Sequence, residues 1–470
     1  MRTVLTIIFK YVKLYRHSKL KGFEMKFDFD QRRYNIADFG AKSEIGFDNQ
    51  EYIQEAIDVC SEAGGGTVVI SKGYWLTSPI QLKSGVNLCA EKGAYIKFTK
   101  SKEKYPLIFT EFEGRRAIRA TSPVWARNES NIAITGEGVF DGNGEKWRPK
   151  KDWKMSAVEW NKKKSSPYIA KIDDGHLWFP TETAYLGYMN KVDEKLPDAL
   201  ERAAAYYDWY RPVFLSLISC EGVLLQGVTF TNSPNWTIHP LYCRDLTVDG
   251  CFVKNPKEAQ NGDGIDVESC EGVAIKNCVF DVGDDAICLK AGKGREARGK
   301  IAPTRGVEIY GCTVYHGHGG FVIGSEMSRG VEDVYVHDCL FTGTDTGIRV
   351  KSALGRGGYI KDIRVENIVM SNIVRDCITI SSNYGTKSFL DIADNITEYG
   401  EDDIPRIGGI EISKIRCDGA SRFLHIDGLT SSPVKNISLK DCTASADRAV
   451  DIFSAEGITF DGVTVNGGKL

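Results

Sequence analysis

One tripeptide pattern, returning at a fixed phase, constrains this chain more than any other feature. It begins with Val228-Thr229-Phe230, Cys251-Phe252-Val253, Cys278-Val279-Phe280, Cys312-Thr313-Val314 and Cys339-Leu340-Phe341. Ile368-Val369-Met370, Ile415-Arg416-Cys417, Cys442-Thr443-Ala444 and Val463-Thr464-Val465 complete it. Successive first positions lie 23, 27, 34, 27, 29, 47, 27 and 21 residues apart, and most triplets follow Gly, Asn or Asp. A short strand at one phase of a period in the twenties marks a solenoid. A single coil cannot bury its apolar face, whereas stacked coils share one core. The first and third residues should then point inward and stack on the rungs above and below. A β-sandwich would place turn signals every ~8–12 residues, with no reason to repeat one phase so often. The chain therefore reads as all-β, a single-stranded right-handed parallel β-helix of about ten coils. The interval of 47 contains a loop over 383–406.

One helix opens this domain. Asp48 or Asn49 can cap it, and Ile53, Ala56, Ile57 and Cys60 fall at helical spacing before Gly64-Gly65-Gly66. A helix over Asn49–Ala63 is expected to close the N-terminal end of the solenoid, followed by the strand Thr67-Val68-Val69-Ile70. Residues 1–33 read as an extension outside the fold, and 34–470 as one catalytic β-helix domain. The extension is basic, and its apolar run Val4–Phe9 is shorter than the ~7–15 residues of a signal core. Met25 is an alternative start, and both a cytoplasmic and an exported location stay open. No stretch approaches the ~18 apolar residues of a membrane span.

Acids and bases nearly balance, 63 against 60, so charge points to neither nucleic acid nor a membrane as partner. Oligomeric state is left open. The 13 cysteines are odd in number and lack zinc-type pairs. Several occupy the first position of the triplet, where a buried thiol serves as a small hydrophobe. Residues 145–212 break the repeat and hold five of the eight tryptophans, with a basic stretch over Lys146–Lys164. This segment reads as an insertion that walls a groove, with a short helix over Asp198–Tyr210. Its lysines are equally well read as a substrate-facing patch or as an ordinary solvated face.

Four motifs carry the chemistry: Asn261-Gly262-Asp263-Gly264, Gly283-Asp284-Asp285, Gly317-His318-Gly319 and Arg349-Val350-Lys351. Singly, each is a common turn or a solvated strand face. Together their spacing matters, because Asp263 to Asp284 is 21 residues, Asp284 to His318 is 34 and His318 to Arg349 is 31. Each interval is about one coil, and coils stack about 4.8 Å apart. Three carboxylates, an imidazole, a guanidinium and an ammonium should converge on one face. Glycoside cleavage needs one carboxylic acid to protonate the leaving oxygen and another carboxylate to activate water or attack the sugar. Crowded carboxylates push one pKa up, which supplies the acid. Arg and Lys suit a uronate carboxylate.

These motifs resemble the polygalacturonase family of glycoside hydrolases, family 28, whose pattern is Asn-Thr-Asp, Gly/Gln-Asp-Asp, Gly-His-Gly and Arg-Ile-Lys. The likeness runs from about Tyr34 to the C-terminus and includes Asp38-Phe39-Gly40-Ala41 and Gly136-Glu137-Gly138-Val139-Phe140-Asp141-Gly142-Asn143-Gly144. Gly262 and Val350 depart from the pattern, and neither removes a group the chemistry needs. The resemblance implies hydrolysis of α-1,4-galacturonosidic bonds of polygalacturonate or an oligogalacturonide by inverting single displacement. It implies Asp284 as general acid, Asp263 and Asp285 activating water, and His318 tuning the cluster. Arg349 and Lys351 would bind the substrate carboxylate. No metal and no cofactor is implied. The insertion and Gly355-Arg356-Gly357-Gly358 resemble the bacterial exo-acting branch. Rival readings are a rhamnogalacturonan or xylogalacturonan hydrolase, a calcium-dependent pectate lyase, and a non-catalytic carbohydrate-binding β-helix.

Overall fold

The computed structural model describes residue 29 and residues 31–172, 175–298, 302–385 and 399–470. The tripeptides form one parallel ladder. Phe230 lies opposite Val253, then Phe280, Val314, Phe341, Met370, Cys417, Ala444 and Val465 follow in unbroken succession. First and third residues are buried throughout, and the middle residues face outward. The ladder also continues toward the N-terminus through Phe140, Ile96 and Trp75. Two further ladders complete each coil. One runs through Val68, Leu88, Ile134, Leu225, Val248, Ile275 and Ile309. The other runs through Val124, Leu215, Ile238, Ile265, Ile287, Phe321, Ile348, Ile378 and Leu424. The result is a right-handed parallel β-helix, the hand that parallel crossovers adopt. A fully buried Phe or Ile side chain contributes about 1.5–3 kcal/mol, so this continuous apolar column holds the coils together.

None of the thirteen cysteines is in a disulfide, and all but Cys89 are buried. Cys251, Cys278, Cys312 and Cys339 stack at the first triplet position. They work there as compact apolar filler.

The capping helix spans Gln50–Glu62 and buries Ile53, Ala56, Ile57 and Cys60. Asp48 Oδ1 accepts the Gln50 N–H at 3.1 Å. Asn49 makes no capping bond and instead ties Lys42 to the Leu76 carbonyl. The helix packs on Arg33–Asn35 and Gly66–Ile70, the first rung. Arg33 pairs with Thr67, so the solenoid is under way one residue before the expected boundary. Residues 1–28 of the expected extension, and 386–398 of the expected loop, lie outside the described residues.

Residues 145–212 do interrupt the coils. They form a small antiparallel sheet of Lys150–Lys151, Gly175–Trp178 and Ile169–Ile172, with short helices. The helix expected over 198–210 is two pieces, Ala199–Ala204 and a 3-10 turn Tyr207–Trp209. Tyr206 breaks it at φ −121°, ψ 31°, which seats Trp209 against Gly187. A Cβ at Gly187 would come within 2.3 Å of Trp209. A hairpin ahead of the insertion, Leu107–Phe112 with Arg115–Ala120, packs through Ile118 onto Ala199, Ala203 and Tyr210. Hairpin and insertion thus form one body above the solenoid.

Candidate active site

The first three motifs fall where successive coils turn into the strands Ile265–Glu268, Ile287–Lys290 and Gly319–Ile323, and the fourth lies within the strand Thr346–Lys351. Ile265, Ile287, Phe321 and Ile348 are in register. Counting back from them, Asp263 and Asp285 occupy one column, while Asp284, His318 and Asp345 occupy the column beside it. Glycine makes this corner possible. A Cβ on Gly264 would lie 2.6 Å from Phe280, and one on Gly320 2.6 Å from Phe341. Both face the core, which turns the preceding residues outward. Gly262, the departure from the family pattern, has a local reason too: a Cβ there would lie 2.7 Å from the Ala259 methyl.

Arg349 is not in the aspartate columns. It lies opposite Val322, further along the strand, and its guanidinium reaches back to Asp285 Oδ1 at 3.5 Å. Lys351 Nζ donates to Asp285 Oδ2 at 2.6 Å. Tyr384 covers both cations, its ring 5.5 Å from the Arg349 guanidinium and 4.9 Å from Lys351 Nζ. On the other side, His318 Nδ1 is 2.9 Å from Asp284 Oδ1 and Nε2 is 3.9 Å from Asp345. The structure therefore brings Asp263, Asp284, Asp285, His318, Arg349 and Lys351 to one face. Asp284 is the most accessible of the three aspartates, its side chain 14% exposed against 2% for Asp285. Oδ1 of Asp263 and Oδ1 of Asp285 are buried acceptors with no hydrogen-bond donor among the described residues.

Charge is divided unevenly. Burial pushes the Asp263 carboxyl well above the usual range, and Asp266, Asp284 and Asp285 push it further. Burial likewise raises Asp266. At Asp284 burial acts in the same direction, but the charge and hydrogen bond of His318, joined by Lys154 and Lys351, outweigh it and hold the carboxyl well below its usual range. At Asp285 burial is outweighed by Lys351 and Arg349. The raised carboxyl that the crowding argument requires is thus Asp263 in the free protein, and Asp284 is ionised.

Several residues at this site were not singled out from the sequence. Asp345 stands 27 residues after His318, one coil on, and that spacing could have found it. Asp266 lies on the strand that follows Asp263 and pairs with Lys290 at 3.5 Å, which in turn binds Glu326 at 2.9 Å. Trp153 and Lys154 come from the insertion, and only their place in an aromatic, basic stretch hinted at them. The Trp153 ring lies near-parallel to His318 with centroids 6.3 Å apart. Lys154 Nζ donates to the Gly283 carbonyl at 2.6 Å. The other insertion tryptophans pack elsewhere: Trp147 is buried against Tyr105 and Tyr207.

The side-chain donors of Asp284, Asp285 and His318 lie within 4.8 Å of one another, a spacing that could hold a cation. The cationic charge that balances these carboxylates is already supplied by Lys351, Arg349 and Lys154. The donor set thus fits a carboxylate pair kept for acid–base work.

The groove is closed on one side. Trp236 precedes Asp263 in its column, since Thr237 N–H donates to the Asp263 carbonyl. The hairpin places Phe112 on Trp236 with ring centroids 4.2 Å apart, and Val213 and Ala117 bury the pair.

The chain is similar to known proteins. The family model described as Glycosyl hydrolases family 28 matches residues 204–393. A probable polygalacturonase of Vitis vinifera is 25% identical over 87% of this chain and 73% of its own length. An exo-poly-alpha-D-galacturonosidase of Dickeya chrysanthemi is 28% identical over 74% of this chain, which spans 57% of that relative. Among solved structures, a hyperthermoactive exopolygalacturonase from Thermotoga maritima superposes with a TM-score of 0.78 at 28% identity, covering 95% of this chain and 94% of that one.

Proposed function

We infer from these likenesses and from the site that the chain is a family 28 glycoside hydrolase that cleaves α-1,4-galacturonosidic bonds of polygalacturonate, from a chain end, by single displacement with inversion. The observation that carries the reading is the pairing of crowded aspartates with cations from two coils further on. Asp284, the most accessible of the three motif aspartates, is suited to reach the glycosidic oxygen as general acid. Asp263 and Asp285 offer two buried acceptors that can orient and deprotonate a water on the opposite side of the sugar. Arg349 and Lys351 give the groove two donors for a uronate carboxylate.

The charge distribution sets an order of events. In the free protein the proton of the aspartate cluster sits on Asp263, and strongly coupled carboxyls titrate as a set. An arriving uronate neutralises the cations that keep Asp284 ionised. That raises Asp284 and lets it take the proton from Asp263 by exchange within the cluster. Asp263 is left ionised as the base.

Chain-end action is supported by the closure at Phe112 and Trp236, which leaves the aspartates at the end of the groove. The wall is thus built largely by the hairpin, and the insertion buttresses it. One product analysis on long polygalacturonate tests the whole reading. Saturated monomer appearing first, with viscosity nearly unchanged and no loss on adding a chelator, is the expected result. A fast viscosity drop overturns chain-end action, and an unsaturated, chelator-sensitive product means a lyase. Release from rhamnogalacturonan or xylogalacturonan in preference would favour those substrates.

A further inference from the structure

Any bond inside a galacturonan is flanked by two uronates, each with a carboxylate. Arg349 and Lys351 converge on Asp285 from one side, where together they suit one of these anions. The opposite side takes its cations from the insertion: Lys154, with Lys151 beside it at 5.1 Å from the Trp153 ring centroid. Lys154 is partly buried, and it is held by the Gly283 carbonyl. The carboxylates that face its ammonium are Asp284, Asp345 and Asp263, with Lys151 the nearest like charge. None of these makes a salt bridge with it within the described residues, so the ammonium keeps donors free toward the groove. Beside it, the Trp153 indole is 46% exposed and near-parallel to the His318 ring. An exposed aromatic face next to a catalytic imidazole is a platform for the apolar face of a sugar ring.

We propose that Lys154 and Trp153 form a substrate-binding element for the second uronate at the scissile bond: Lys154 binds the carboxylate that Arg349 and Lys351 do not hold, and Trp153 stacks on that sugar. The proposal rests on the hydrolase reading above and extends it to residues outside the solenoid. A cation here also explains how the insertion can serve catalysis without donating a catalytic group. It brings one sugar-holding ammonium to the carbonyl side of Asp284, while the coils supply the acid and base.

The alternative is that Lys154 only straps the insertion to Gly283. Trigalacturonate and its three singly carboxyl-reduced forms separate the two, assayed with wild type, Lys154→Met, Lys154→Arg and Trp153→Ala. Lys154→Met should lower kcat/KM on trigalacturonate about tenfold or more, the worth of a charge-assisted bond. On one of the reduced forms, and only that one, it should cost almost nothing, because the anion it binds is already gone. Lys154→Arg should recover much of the loss, and Trp153→Ala should raise KM on all four. Equal losses on every substrate, or no loss, would overturn the proposal while leaving the hydrolase reading in place. If wild type hydrolyses none of the four, the hydrolase reading itself falls and this proposal with it.

Discussion

His318 is tied to Asp284 twice across one coil boundary: its Nδ1 lies 2.9 Å from the Asp284 carboxylate, and its backbone N–H donates to the Asp284 carbonyl, also at 2.9 Å. The imidazole is therefore placed by the rung itself. Since its charge and hydrogen bond are the main forces holding Asp284 below its usual range, His318→Gln should let burial raise that carboxyl. Activity should fall by about 10²-fold, a typical share for acid–base assistance. The basic limb of the residual kcat/KM profile should move to higher pH. An unmoved limb would remove His318 from this role.

Asp284→Asn should lower kcat on the order of 10²–10⁴-fold, because an amide has no proton to give at this pH. Circular dichroism should stay near wild type, while the melting temperature at neutral pH should fall, because the folded state holds Asp284 ionised below its usual range. Activity within threefold of wild type would remove Asp284 as the acid.

Asp263→Asn should inactivate the protein and yet stabilise it at neutral pH. The folded pKa of Asp263 is raised, so the folded state keeps a proton that the unfolded chain releases above about pH 4. Stability is therefore lost as pH rises from that unfolded value toward the folded one, and an amide removes the loss. The variant should melt several degrees above wild type at pH 7, and the difference should shrink toward zero near pH 4. Thermal melts at the two pH values check it, and a uniform effect at both would count against it.

Lys351→Met should abolish useful activity and also cost stability. Asp285 is 2% exposed, and stripping its closest cation leaves a buried charge, a loss of about 3–5 kcal/mol for a broken buried pair, reduced here by Arg349. The double variant Lys351→Met, Asp285→Asn should regain much of the melting temperature and none of the activity. If the double variant melts no higher than the single, the pair is not what stabilises this corner.

Phe112→Ala combined with Trp236→Ala should open the closed side of the groove. Oligomers should then appear early alongside monomer, with a measurable viscosity drop. A product pattern still made of monomer alone would place the closure elsewhere.

The ladder was legible because two constraints acted on the same residues. Cys251, Cys278 and Cys312 must be small to stack, and Phe230, Phe280 and Phe341 must fill the remaining width, so the alternation survived every loop between them. The three N-terminal rungs were hidden because Gly73, Ala94 and Gly138 stand at the first triplet position, where the later rungs carry Cys, Val or Ile, which masks the period. At the site, spacing found the six motif residues because each motif follows the last by about one coil. The same rule holds for Asp345. It cannot find Lys154 or Trp153, whose segment has no phase relation to the coils. Nor could spacing tell which carboxyl holds the proton. That depends on depth and on which cations arrive from other strands, and both are properties of the packed molecule.

The corner glycines have a consequence for how the protein can be altered. Gly264 and Gly320 leave room for a phenylalanine from the neighbouring rung, so each catalytic motif is fastened to the interior of the next coil. The hairpin 107–120 and the insertion 145–212 lie outside these corners. Loop length and content can therefore change as freely as in the hairpin and the insertion, whereas one added residue between Asp263 and Ile265 would swing the carboxylate off its column. The molecule separates what may vary from what may not by distance along the chain: a few residues at each turn are locked, and the long stretches between them are open to redesign for other chain ends.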